Sequence, residues 1–204
     1  MVGLERDNKL AIGIGDSAIP ELLDRINDVN KIQIEHSLGK ITLSSDDENW
    51  TVKEASSYAG RTSKIKRAIL GLAQLKLREP KTKLRDKYPK LELLDPTSVG
   101  AKSKRVYLID KKGQTIGDII LGKRRPSIPG SNVGSIYIRF PGQKQTWLAD
   151  GDVDISSNIT EWLERKIINI NSKRVNKVII RHENGDILEV FKKTPEDPMF
   201  LLKN

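Results

Sequence analysis

The chain has 204 residues, of which 37% are hydrophobic and 31% charged, and its formal net charge is +9. No stretch approaches the roughly 18 apolar residues that span a bilayer, and the N-terminal residues lack the basic start and apolar run of a signal peptide. The chain contains no cysteine, which excludes disulfides, thiolate zinc sites and cysteine nucleophiles. Composition therefore indicates a globular chain and leaves its compartment open.

The N-terminal part predicts a short helix followed by strands. Residues 20–27 begin with proline after Asp16 and Ser17, which is typical of a capped helix with proline in its first turn. Alternating residues in 29–35 and 40–43, on either side of a Leu-Gly pair, predict a β-hairpin. Residues 50–52 are the expected third strand.

A basic helix follows the third strand. Thr62 or Ser63 can cap it, and apolar residues recur at helical spacing from Ile65 to Leu75. The segment Arg61 to Lys90 contains eleven bases and two acids, so it carries the whole net charge of the protein. We interpret it as a solvated helix face with a polar connector from Pro80 to Pro96. The alternative is an electrostatic footprint for anionic lipid or nucleic acid, and its candidate residues on the helix are Lys64, Lys66 and Arg67.

Three hairpins and one helix are predicted in the rest of the chain. Turn residues between alternating segments predict hairpins over 105–121, 135–149 and 175–191. A helix is expected to begin at Ser157 or Asn158 and to continue through Ile167, with Trp162 on its apolar side.

The last hairpin resembles the first one. Residues 29–36 align with residues 175–182 at an offset of 146, and the same offset matches Gly39 with Gly185. Both hairpins follow a predicted helix, so we predict a repeated helix–hairpin unit. The expected organisation is a first α+β unit over residues 1–171 and a second, truncated repeat over 172–204 that packs on the first.

Two further segments are weighed as ligand sites. Asp150, Asp152 and Asp154, with Glu161 at the twelfth position, resemble the start of a calcium loop, but Ile155 stands where such a loop requires glycine. We therefore interpret the carboxylates as an acidic turn and keep them only as weak metal candidates. The long loop from Leu121 to Gly134 is a candidate anion- or partner-binding loop, through its three consecutive bases Lys123, Arg124 and Arg125.

The two histidines, His36 and His182, occupy equivalent positions beside the turns of the first and last hairpins. A catalytic histidine needs a partner nucleophile or an orienting carboxylate, and the sequence singles out neither. We therefore expect a non-catalytic protein without cofactors.

The order of several short patterns resembles a bacterial family catalogued as domain of unknown function 4340. The resemblance covers roughly Pro20 to Val175 and rests on the order and spacing of its motifs. These include Lys87-Tyr88-Pro89, Leu93-Leu94-Asp95-Pro96, Leu121-Gly122-Lys123, Tyr137-Ile138-Arg139, Trp147-Leu148 and Trp162-Leu163. The resemblance implies an auxiliary component of a gliding-type ABC transport system, extracytoplasmic and membrane-anchored, with an anchor that residues 1–204 lack. It implies no catalytic residues.

The expected fold is α+β, with antiparallel hairpins in a meander packed against two or three helices. The predicted core residues are Trp50, Ile69, Leu72, Tyr107, Ile138, Trp147, Trp162 and Ile179. The leading functional hypothesis is a non-catalytic extracytoplasmic module that binds protein partners in an envelope complex and has no small-molecule substrate. The alternative is an anion-binding module that docks on anionic lipid or nucleic acid through residues 61–90; composition alone does not exclude a cytoplasmic location.

Overall fold

The computed structural model describes residues 13–47, 49–125, 134–166 and 170–203. The chain forms two compact units, residues 1–164 and 165–204. The division falls after Glu164, somewhat before the boundary predicted after residue 171. In the described part of the chain, no helix is long and apolar enough to cross a membrane.

The described residues of the first unit form nine strands and two α-helices. In chain order these are β1 (Val29–His36), β2 (Gly39–Asp46), β3 (Asn49–Val52), β4 (Tyr58–Ala59), α1 (Thr62–Ala73), β5 (Lys76–Pro80), α2 (Tyr88–Leu91), β6 (Lys104–Asp110), β7 (Thr115–Arg125), β8 (Ser135–Arg139) and β9 (Thr146–Asp150). Short 3-10 helices are found at Ile26–Asp28, Lys53–Ala55, Arg85–Lys87 and Ile159–Trp162.

The nine strands make one sheet in the order β4-β3-β2-β1-β6-β7-β8-β9-β5, and every neighbouring pair is antiparallel. The hairpins β1–β2, β6–β7 and β8–β9 confirm the three predicted for this region. Helix α1 follows β4 at one edge of the sheet and leads to β5 at the other. The fold is therefore α+β, dominated by an antiparallel sheet.

The core combines one face of α1 with residues from the sheet. Ile65 and Leu72 from α1 are fully buried in the same cluster as Ile32, Leu108 and Ile138 from β1, β6 and β8. Burial of each such side chain contributes about 1.5–3 kcal/mol. The predicted core residues Trp50, Ile69, Leu72, Ile138 and Trp162 are buried, Trp147 is partly buried against the cluster, and Tyr107 is half-buried.

The predicted helix over residues 21–27 is wrong. The chain makes hydrogen-bonded turns there, such as Leu22 N to Ile19 O at 3.1 Å, and only Ile26–Asp28 forms a 3-10 helix. Leu22 is fully buried whereas Leu23 is 57% exposed. Leu22 and Ile26 both pack against the core, but two apolar contacts do not stabilise a helix in so short a segment, since isolated helices shorter than about 12–15 residues are marginal in water.

The helix expected to start at Ser157 or Asn158 is reduced to the 3-10 helix Ile159–Trp162. Asn158 does cap it, because its side chain accepts a hydrogen bond from Thr160 N at 3.0 Å. The backbone then leaves the helix: Trp162 O accepts from Arg61 N at 2.7 Å, and Glu164 N donates to Ala59 O at 2.9 Å. Pairing with the segment before α1 thus replaces helical hydrogen bonds, and the predicted helical residue Ile167 lies outside the described residues.

The surroundings of α1 also differ from the prediction. The residue that precedes the helix is Arg61, and neither Thr62 nor Ser63 occupies the capping position, because α1 already begins at Thr62. The predicted polar connector starts at Pro80, where β5 ends, and contains α2. Strand β5 was missed because only Leu77 of its five residues is buried and because its position depends on pairing with β9.

The second unit contains the predicted last hairpin. Strands β10 (Lys177–Arg181), β11 (Ile187–Phe191) and β12 (Leu201–Leu202) pair antiparallel in that order, after a 3-10 helix at Ser172–Arg174. Gly185 lies in the turn with φ of +92°, a conformation that glycine adopts without strain. The predicted core position Ile179 is wrong, since this side chain is 44% exposed.

Candidate functional site

Three of the predicted binding residues lie around one cleft of about 420 Å³, which we call the helix cleft. It lies between α1, the end of β7 and the segment after β9. The cleft is lined by Lys64, Arg67, Ala68, Gly71, Gln74, Arg124, Asp152 and Asp154. The structure therefore brings together residues from the basic helix, the predicted binding loop and the weak calcium candidates. These are three separate segments in the sequence.

Gly71 makes the close approach at this cleft possible. A Cβ atom at this position would lie 2.6 Å from the backbone oxygen of Asp152, which is closer than side-chain carbons pack. The absence of a side chain thus lets α1 contact the segment after β9 directly.

Two of the three cations that line the helix cleft are paired with carboxylates, and the third, Arg67, is exposed and donates a hydrogen bond from Nε to Ser63 O at 3.3 Å. Lys64 Nζ lies 2.6 Å from Glu161 Oε2 and 3.3 Å from Asp154 Oδ2, and it also lies 5.1 Å from the centre of the Trp162 ring. Arg124 forms ion pairs with both Asp152 and Asp154. These ion pairs join α1 to the segment after β9. Because the Lys64 side chain is only 10% exposed, it is not a free docking cation.

The weak metal candidates are paired with cations. Asp150 lies 2.8 Å from Arg78, and Asp152, Asp154 and Glu161 are the partners of Arg124 and Lys64 already described. A calcium site needs several carboxylate oxygens directed at one ion. Within residues 13–47, 49–125, 134–166 and 170–203, no three His, Cys, Asp or Glu side chains are grouped to hold a metal ion.

The other predicted cations lie outside the helix cleft. Lys66, Lys123 and Arg125 are exposed. The pKa of the Glu79 carboxyl lies below its ordinary value, chiefly because Lys81 donates a hydrogen bond to it, and the charge of Arg125 adds to this effect. The predicted loop from Leu121 is occupied up to Arg125 by β7, and residues 126–133 of that loop lie outside the described residues.

The two histidines lie at the ends of hairpin strands. The pKa of His36 lies below its ordinary value, chiefly because of burial and to a smaller extent because of the charge of Lys104. Its Nδ1 accepts a hydrogen bond from Leu38 N at 3.3 Å. His182 N donates to Asp186 O at 2.8 Å, next to the turn of the last hairpin. These contacts stabilise the two turns.

The sequence analysis missed an aliphatic face on the second unit. Residues opposite each other in an antiparallel pair lie on the same face of a sheet. The pairs Val178–Val190, Ile180–Leu188 and Val190–Leu202 therefore place five aliphatic side chains on one face. Four of them are exposed by 37% to 57% of their surface. The alternation of side chains along these strands could have predicted this face from the sequence. The sequence analysis instead placed Ile179, which lies on the opposite face of the sheet, in the core.

Comparison with known families gives one match. The family described as Domain of unknown function (DUF4340) matches residues 50–199 of the chain. No curated protein and no solved structure matches the chain. The family match covers most of the 204 residues and confirms the resemblance read from the sequence motifs: the chain belongs to the DUF4340 family.

Proposed function

We propose that this protein is a non-catalytic, extracytoplasmic binding module that serves an envelope complex through protein contacts, as an accessory subunit of an ABC-type transport system. The observation that carries the proposal is the aliphatic face formed by Val178, Ile180, Leu188, Val190 and Leu202. Contiguous exposed apolar surface on a soluble protein is typical of a protein-binding site. The role in transport follows from the family resemblance and supplies the kind of partner.

The chemistry of the face favours a protein partner. The side chains on this face of β10 and β11 are uncharged, so burying them leaves no unpaired ion. Three short strands with one bare apolar face gain stability when another element covers that face. A partner with a complementary apolar surface therefore stabilises the second unit as it binds.

Site-specific photo-crosslinking in cells tests this contact. A photo-reactive residue replaces Leu188 on the aliphatic face, and in a control it replaces Leu38, which is 92% exposed in the turn between β1 and β2. We expect an adduct between position 188 and a transporter subunit, identified by mass spectrometry, and no such adduct from position 38. An adduct only to a second copy of this chain, or equal adducts from both positions, contradicts the proposal.

A second candidate function is docking on anionic lipid or nucleic acid through residues 61–90. Five of the eleven bases in this segment form ion pairs, and the others, including Lys66 and Lys83, have no ion pair to any residue in the described ranges. Binding of this kind releases counterions from the anionic partner, so its affinity falls steeply as the salt concentration rises. Binding to anionic vesicles or nucleic acid that is insensitive to salt would reject this candidate.

We also propose that the first and last hairpins are copies of one unit. The 3-10 helices Ile26–Asp28 and Ser172–Arg174 precede them at the same offset of 146 residues. The pairing differs by one residue, since Ile34 pairs with Ile41 while Ile180 pairs with Leu188. Replacement of residues 26–45 by residues 172–191 should give a chain that still unfolds cooperatively, and loss of cooperative unfolding would count against the repeat.

A further inference from the structure

A second cleft of the first unit, of about 530 Å³, is strongly basic. It lies between the segment that leads into α2 and the connection from β8 to β9, and we call it the basic cleft. The charged and aromatic residues that line it are Lys83, Arg85, Tyr88, Asp95, Arg139 and Lys144. Four cations and one carboxylate give this lining a net charge of +3, compared with +1 for the three cations and two carboxylates that line the helix cleft.

The innermost cation of the basic cleft is a buried arginine. The Arg139 side chain is 5% exposed, its Nη2 donates to Asp95 Oδ1 at 2.6 Å, and its Nε donates to Leu93 O at 3.2 Å. The guanidinium carbon also lies 5.0 Å from the centre of the Tyr88 ring. These contacts fix the plane of a group that has five N–H donors.

Part of that guanidinium remains available to a ligand. Nη1 of Arg139 donates to no group in the described part of the chain, and it is not among the buried side-chain atoms that lack a partner. Nη1 is therefore not fully buried, and Arg139 lines the cleft. A fixed arginine with free N–H donors matches an acceptor with two or more oxygens better than a flexible lysine does.

The walls of the basic cleft are held by hydrogen bonds that do not use its rim cations. Tyr88 Oη donates to Lys144 O at 2.6 Å, which ties the start of α2 to the β8–β9 connection. Lys81 N donates to Thr146 O at 2.8 Å, and Thr82 N donates to Thr146 Oγ1 at 3.0 Å. The backbones that carry the rim cations on the two sides are thus joined before any ligand binds, which lowers the entropy cost of binding.

The rim cations are free to bind. Lys83 and Lys144 are exposed and form no ion pair with any residue that the structure describes. Arg85 is 80% exposed, and its only ion pair within those residues is the one to Asp95 at 3.6 Å. An exposed pair at this distance contributes little, so an anion that enters the cleft does not have to displace a strong internal partner.

We propose that the basic cleft binds the phosphate group of a phosphate-bearing ligand, with Arg139 at its base and Lys83, Arg85 and Lys144 at its rim. Phosphate has several acceptor oxygens, which suits one fixed guanidinium surrounded by mobile cations. This site is separate from the aliphatic face and does not depend on the protein contact proposed above. The same chemistry recognises free phosphate and a lipid headgroup, so the source of the phosphate is an outcome of the test.

The test compares two double variants of the full chain. Lys83→Gln with Lys144→Gln removes two rim charges, whereas Lys40→Gln with Lys53→Gln removes two exposed lysines that line neither cleft and lie outside residues 61–90. Both variants change the net charge equally, and both retain Arg139 with its partners. Circular dichroism and thermal unfolding establish that both variants fold like the unsubstituted protein.

Binding is measured calorimetrically with inorganic phosphate, and by co-sedimentation with vesicles of phosphatidylglycerol and phosphatidylcholine or of phosphatidylcholine alone. We expect the rim variant to lose at least about tenfold in affinity, because it removes two charged hydrogen-bond donors from the phosphate, while the control variant retains its affinity. Binding of inorganic phosphate with this loss identifies a soluble ligand, and binding only of phosphatidylglycerol vesicles with this loss identifies a lipid headgroup. No binding of either probe, or equal losses in both variants, overturns the proposal.

Discussion

Substitution of Gly71 by alanine tests the packing of α1. It changes stability in two opposite ways, through helix propensity and through a steric clash. Gly71 lies inside the helix, where alanine is favoured over glycine by about 0.5–1 kcal/mol. However, the new Cβ would lie 2.6 Å from Asp152 O and 3.5 Å from Val153 Cγ2. The closer atom belongs to the backbone, so the clash is relieved only when α1 or the segment after β9 moves.

Overpacking of a closely packed contact costs about 1–3 kcal/mol. The steric cost therefore exceeds the gain in helix propensity, and we expect Gly71→Ala to destabilise the protein by about 1–2 kcal/mol. For a unit of this size, that corresponds to a decrease of about 2–8 °C in Tm.

Urea unfolding followed by far-ultraviolet circular dichroism measures this change, from the shift in midpoint at constant slope. Lys66→Ala on the exposed side of the same helix is the control, and it should change the free energy of unfolding by no more than about 0.5 kcal/mol. A Gly71→Ala variant that is more stable than the unsubstituted protein would refute the close contact between α1 and Asp152.

Two further predictions concern the ion pairs of the first unit. Burial acts to raise the pKa of Asp110, but hydrogen bonds from Gln114 N, Lys112 N and Arg25 outweigh it and hold this pKa below its ordinary value. The carboxylate therefore contributes its full stability above its unfolded-state pKa, and this contribution is lost as the pH falls through the lower folded-state pKa. We expect Asp110→Asn to lower Tm at neutral pH but not in strong acid. An equal decrease in Tm at all pH values would contradict this. Lys64→Met should destabilise the protein by about 1–3 kcal/mol, because it removes the ammonium group that lies 2.6 Å from the carboxylate of the partly buried Glu161. Denaturant unfolding measures this loss, and a variant as stable as the unsubstituted protein would show that the pair adds nothing.

The parts of the fold that follow from local sequence were predicted well. Hairpin β6–β7 is an example: alternating residues flank a turn that contains Gly113, whose φ of +81° is a conformation that glycine adopts readily. Helix α1 was predicted for a similar reason, since its apolar residues recur at helical spacing and all of its fully buried aliphatic side chains lie on that face. Turn chemistry and periodicity are properties of neighbouring residues, so they can be read from one sequence.

The features that were missed depend on contacts between distant residues. Strand β5 has one buried residue and is placed by β9, about 70 residues away along the chain. The ion pair from Lys64 to Glu161 joins residues 97 positions apart, so a lysine predicted to face solvent proves to be buried. Likewise, the role of Arg139 emerges only when Asp95 and Tyr88 are placed beside it.

The measurement that tests the central claim most directly is co-purification of the tagged native protein from detergent-solubilised membranes, with bound proteins identified by mass spectrometry. The unsubstituted protein is compared with an Ile180→Lys, Leu188→Lys variant, which places two charges on the aliphatic face of the second unit. We predict that the unsubstituted protein recovers transporter subunits and that the variant does not. Recovery of the protein only from the soluble fraction, or recovery of the same subunits with the variant, would contradict a docking role for this face.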